Sequence, residues 1–134
     1  MDKDRLHSIP LFASLGKRER RTVARCADEV DLRPGKELVR EGDWSYEFFA
    51  IERGTAEVVR DGECLAELGP GDFFGEMGVI EDTRRNASVI ATSQMTAIVM
   101  TGRDLRRIAR EMPVVAERIR RAARERAASI EAGA

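Results

Sequence analysis

Phe73-Phe74-Gly75-Glu76-Met77-Gly78-Val79-Ile80-Glu81-Asp82-Thr83-Arg84-Arg85-Asn86-Ala87-Ser88 is the stretch on which the reading turns. Two aromatics open it. A Gly-Glu pair then opens a very short helical candidate, a charged and polar loop follows, and Arg85 leads small polar residues into another strand. These parts suit a small anion. A helix N-terminus offers unpaired backbone N–H groups and the positive end of a dipole. Gly75 and Gly78 let the backbone approach a ligand closely. Arg85 brings a fixed positive charge and a planar donor fork for phosphate oxygens. Glu76 would repel a phosphate, so its place is beside the anion, accepting hydrogen bonds from a sugar hydroxyl. Together the residues describe a reader of a sugar phosphate.

Outward from this stretch, residues 32 to 101 have β texture. Turn signals recur at Pro34-Gly35, Gly42-Asp43, Gly54, Asp61-Gly62 and Gly69-Pro70-Gly71-Asp72. Between them lie short runs: Glu37 to Arg40, Glu47 to Ile51, Ala56 to Val59, Cys64 to Leu68, Ala87 to Ala91 and Thr96 to Met100. Asp61-Gly62 between two runs is a hairpin signal. Many short strands broken by Gly-rich turns predict a mainly β architecture, a β-roll or jelly roll (double-stranded β-helix) with eight strands.

Helical texture flanks the roll. Residues 1 to 31 hold the apolar knot Ile9-Pro10-Leu11-Phe12, then Val23, Ala24, Ala27 and Val30 at helical spacing, with Ser14 or Gly16 as cap. Residues 102 to 130 give a short amphipathic piece, Asp104 to Arg110, and a second helix with Pro113 at its first position. Val115, Ile119, Ala122 or Ala123, Ala127 and Ile130 share one side of it. The expected organisation is one domain over 1–134: an N-terminal helical segment (1–31), the roll (32–101) with its anion cassette (74–88), and C-terminal helices (102–130).

Composition narrows the classes. The 134 residues include 43% apolar side chains, enough for one buried core. The formal charge is −1, less basic than a broad nucleic-acid surface requires. Cys26 and Cys64 are far apart, so the expectation is two reduced, partly buried thiols. No run is long enough for a signal peptide or a membrane span, which makes a cytoplasmic location the default. His7 is the single histidine, and one His in an N-terminal helix cannot build a metal site or a catalytic triad. No catalytic residue, metal or cofactor is expected. Trp44 reads as a half-exposed packing residue, Arg84 as a solvated charge, and Phe73 and Phe74 as core.

Gly75-Glu76-Met77-Gly78-Val79, five residues, then Arg85-Asn86-Ala87-Ser88 resembles the phosphate-binding cassette of cyclic-nucleotide-binding domains. That family includes bacterial catabolite activator proteins, protein kinase A regulatory subunits and cyclic-nucleotide-gated channels. Pro34-Gly35-Lys36-Glu37-Leu38 with Glu41-Gly42-Asp43, Phe48 to Ala56, and Leu68 to Glu76 resemble its other pieces in order. The resemblance runs from Ile9 to Arg126. It implies a non-enzymatic sensor of cAMP, with cGMP as a second ligand. Glu76 is implied to accept from the ribose 2′-hydroxyl, the N–H groups around Met77 and Gly78 to face the cyclic phosphate, and Arg85 to pair with its charge. Asn86 and Ala87 continue the phosphate contact, and Ser88 stands where a hydroxyl helps hold guanine.

Two departures stand out. Arg84 replaces a frequent Pro. No Phe, Trp or Tyr lies between Gly102 and Ala134 to cover the purine, so an aliphatic such as Ile119 or an Arg must do so. The resemblance implies readout by the C-terminal helix, toward a protein partner or a second copy, without direct nucleic-acid or membrane binding. The alternatives are the sensor part of a catabolite-activator-type transcription regulator without its DNA-binding domain, and a ligand-less interaction module of the same fold.

Overall fold

The strand Glu47–Arg53 explains the layering. Four consecutive residues, Phe48 to Ile51, are buried, so both faces of this strand are covered. Successive side chains point to opposite faces. Phe48 and Ala50 accordingly join one apolar cluster, and Phe49 and Ile51 another. The computed structural model of the chain describes residues 2–44, 47–75 and 84–133.

Eight strands are described: β1 (Asp28–Leu32), β2 (Glu37–Val39), β3 (Glu47–Arg53), β4 (Ala56–Arg60), β5 (Glu63–Leu68), β6 (Phe73–Phe74), β7 (Ser88–Ala91) and β8 (Met95–Thr101). They form two antiparallel four-stranded sheets, ordered β1-β8-β3-β6 and β2-β7-β4-β5. The expected mainly β roll is what the chain adopts.

The first sheet is the middle layer. Its inner face meets the second sheet over Phe49, Ile51, Phe74, Met95 and Ala97, against Val39, Ala56, Val58, Leu68, Val89 and Ala91. Its outer face carries Phe48, Ala50, Phe73, Ile98 and Met100 against the helices. Phe73 and Phe74 are core, as expected, and they serve opposite cores. Phe73 meets Phe48 at 5.6 Å between ring centres, and Phe74 stacks on Phe49 at 5.0 Å. The Asp61-Gly62 hairpin also forms. Both residues have positive φ, 52° and 80°, the combination a tight two-residue turn needs.

Helical segments cover the outer face: a 3-10 turn (Lys3–Ser8), α1 (Pro10–Ala13), α2 (Lys17–Cys26), α3 (Gly102–Glu111) and α4 (Pro113–Gly133). Gly16 caps α2, its N–H donating to the Glu19 carboxylate at 3.1 Å. Pro113 opens α4, and Met112 before it leaves the helical region at φ −127°, ψ 81°, as a residue preceding proline must. Leu6, Ile9, Phe12, Val23, Leu105, Ile108, Val115 and Ile119 are all fully buried in the outer cluster.

Three expectations need correction. Helix α2 ends at Cys26, and Val30 lies in β1, paired with Ala97 of β8. Asp28-Glu29-Val30-Asp31-Leu32 alternates with a period of two, and the unfilled edge of β8 outweighs the helical spacing from Val23 to Ala27. The two-residue β6 was not read as a strand; its pairing with Phe49 and Ala50 of β3 is long-range and invisible to a local pattern. Cys26 is half-buried as expected, but Cys64 is exposed, because it sits just after the hairpin on the edge strand β5.

Candidate functional site

The roll brings the two ends of the cassette together at one point. Strand β6 delivers Gly75, and the chain returns through Arg84 and Arg85 into β7. The Arg85 side chain is only 6% exposed. Its Nη1 donates to the Gly75 carbonyl at 2.6 Å, and its Nη2 to the Glu47 carbonyl at 2.6 Å. The loop is thereby closed at its neck by a guanidinium. Gly75 makes this possible. It has φ 91°, and a Cβ there would lie 2.6 Å from the Glu47 oxygen and 3.2 Å from Nη1 of Arg85.

A second turn holds Arg85 from the other side. The Arg85 N–H donates to the Asp43 carbonyl (2.9 Å), and the Arg85 carbonyl accepts from Gly42 (2.8 Å). Three residues further on, the buried Ser88 hydroxyl accepts from the Glu41 N–H at 2.9 Å. The Glu41 carboxylate in turn accepts from the Asp61 N–H at 3.2 Å. The turn at residues 41–43 thus clasps the exit of the cassette over four residues.

Of the residues singled out in the sequence, Gly75, Arg85 and Ser88 converge in this clasp. Asn86 is exposed and Ala87 half-buried, both on the same segment. Glu76, Met77 and Gly78 lie outside the described residues. Missed in the sequence were the Glu47 carbonyl, which is a backbone group and leaves no side-chain signal, and the clasping role of residues 41–43. The signal available there was Gly42 beside Asp43, read only as a turn.

Around the neck, Trp44 is 51% exposed, and the guanidinium of the exposed Arg84 lies 5.5 Å from its ring centre. Ile119 is fully buried among the helices, so in this arrangement it is core and not a cover over the site. His7 is exposed. Among the described residues no group of three or more His, Cys, Asp or Glu could hold a metal ion, and no helix is long and apolar enough to cross a membrane.

The family model described as "Cyclic nucleotide-binding domain" matches residues 29–112, which include the whole cassette and its clasp. The chain belongs to the cyclic nucleotide-binding domain family. A cAMP-dependent protein kinase regulatory subunit of Schizosaccharomyces pombe is 37% identical over 91 residues, 67% of this chain and 22% of that protein. The chain therefore spans under a quarter of that relative. Among solved structures, the catabolite activator protein of Thermus thermophilus superposes with a TM-score of 0.77 at 28% identity, covering 91% of this chain and 61% of the other. The regulatory subunit of a cAMP-independent protein kinase A from Trypanosoma brucei gives 0.81 at 21% identity, covering 90% and 44%, a likeness of fold.

Proposed function

We propose that this domain binds a cyclic purine nucleotide, cAMP before cGMP, and acts as a sensor without catalysis. The observation that carries the reading is the guanidinium of Arg85 at the neck of the cassette, beside Gly75. A cyclic phosphate at the neck would exchange a neutral carbonyl acceptor for a charged one, which makes a stronger hydrogen bond. In this reading Gly75, Met77 and Gly78 bring backbone to the phosphate, and Glu76 accepts from the ribose. Asn86, Ala87 and Ser88 continue the phosphate-side wall. Membership of the family and the cAMP-dependent kinase subunit among the relatives support cAMP as the first ligand to test.

Readout is proposed to run through α4. Arg118 of that helix donates to the carbonyls of Pro10 and Leu11 at 3.1 and 3.2 Å, so α4 moves only by breaking its tie to α1. A ligand drives that movement only if it binds the two arrangements with different affinity. The fold also occurs in the regulatory subunit of a Trypanosoma brucei protein kinase A called cAMP-independent, so the fold by itself does not entail a response to cAMP, and the second reading is a ligand-less interaction module. Titration calorimetry with cAMP and, separately, cGMP decides between them. Saturable binding of one nucleotide per chain supports the sensor; no heat and no thermal shift with either leaves the interaction module.

A further inference from the structure

Charge is segregated by layer in this chain. Residues 28–101 carry 16 acidic and 7 basic side chains, whereas 1–27 and 102–134 together carry 16 basic and 8 acidic ones. The near-neutral total hides a negative roll and a positive helical layer.

Two helices set the positive charge in stripes. On α3, Arg103, Arg106, Arg107 and Arg110 are all exposed. Their spacing of three, one and three residues places them on one helix face. On α2, Arg18, Arg21 and Arg25 are exposed at spacings of three and four. The helices meet where Nη2 of Arg107 approaches the Cys26 sulfur at 2.7 Å, so the end of the α2 stripe abuts the middle of the α3 stripe. Arg107 also pairs with Asp104 at 3.6 Å. Arg18, Arg21, Arg25, Arg103 and Arg110 take part in no ion pair among the described residues. By contrast, Arg120 and Arg124 of α4 both reach Glu117.

We propose that the α2/α3 arginine face docks a short carboxylate-rich segment of a partner protein. Length and field decide for this occupant. The ten residues of α3 span about 15 Å. A duplex or an anionic membrane extends beyond that over the roll, on whose strands β8 and β3 the helix α3 packs directly and whose net negative charge repels a polyanion over about a Debye length, ~8 Å at physiological salt. A short acidic segment meets only the arginines. No large apolar side chain among the described residues of α2 or α3 is exposed, so the contact is electrostatic and salt-sensitive. This inference stands apart from nucleotide binding and survives its failure.

The test uses the whole chain and a fluorescein-labelled glutamate peptide of about 12 residues, long enough to span both stripes. Anisotropy should show binding at about 50 mM salt that weakens at least tenfold by about 300 mM. Reversing Arg21, Arg103 and Arg110 to Glu should weaken it at least tenfold. Reversing Arg120, Arg121 and Arg124 on α4 should change it less than threefold. Circular dichroism checks folding, and the corresponding Gln substitutions replace any Glu variant that fails to fold. Equal effects of the two sets would overturn the proposal, as would absence of binding. Tighter binding of duplex DNA or phosphatidylserine vesicles, or salt-sensitive self-association in sedimentation, would overturn it in favour of those occupants.

Discussion

The Gly75 carbonyl accepts a 2.6 Å hydrogen bond from Nη1 of Arg85, ten residues later in the chain. This contact makes the cassette a closed loop with a cation at its neck. It also explains why position 75 is glycine, since φ there is 91° and the Glu47 oxygen occupies the space a Cβ needs. Gly75→Ala should lower stability by about 1–3 kcal/mol, the usual cost of such a backbone in a residue with a Cβ. Urea denaturation measures it; a change near zero would show that the neck relaxes freely.

Arg85 bridges two carbonyls far apart in the chain, that of Gly75 just after β6 and that of Glu47 at the start of β3. A lysine has one ammonium and cannot reproduce the fork. Both Arg85→Lys and Arg85→Ala should therefore weaken cAMP binding, the Ala variant by about 1.5–3 kcal/mol, or roughly 10- to 150-fold. Calorimetric affinities within a factor of two of the parent would remove Arg85 from the phosphate site.

Ser88 is buried at the start of β7, and its hydroxyl accepts from the Glu41 N–H. Ser88→Ala leaves that N–H without its acceptor and should cost about 1 kcal/mol of stability. The bond belongs to the clasp, so affinities for cAMP and cGMP should fall by similar factors. A loss confined to cGMP would assign the hydroxyl to the guanine instead.

Most of the roll was legible because its signals are local. The turns at Asp61-Gly62 and Gly42-Asp43 are set by residues that tolerate positive φ, and the continuous apolar run Phe48 to Ile51 of β3 needs no partner to be read. What escaped was long-range. Strand β1 exists because β8 offers an edge, and β6 because Phe49 and Ala50 pair with it. The site divides the same way. Arg85 and Gly75 stood out by side-chain type and order. The carbonyls of Glu47 and Asp43 that hold Arg85 are common to every residue and carry no mark in the sequence.

The Arg118 bonds to the Pro10 and Leu11 carbonyls tie α4 to α1. Arg118→Ala should raise amide exchange along α4 and cost about 1 kcal/mol of stability. If readout displaces α4, the variant has already lost the tie that resists it and should bind cAMP severalfold more tightly. Unchanged affinity with faster exchange would separate α4 mobility from nucleotide binding.

Arg5 anchors the N-terminal turn to the first sheet through Glu29 on β1 and Glu52 on β3. The hydrogen bond from Arg5 holds the Glu29 carboxyl below its ordinary value of 4.5. A carboxyl depressed in the folded state stabilises the protein above its unfolded pKa, and the contribution disappears as pH falls through the folded one. The melting temperature of the parent should therefore exceed that of Glu29→Gln at neutral pH, with the gap closing below 4.5. The exposed setting keeps the gap small and lets added salt shrink it. A gap that stays constant through the acid range would mean that the pair contributes shape rather than charge.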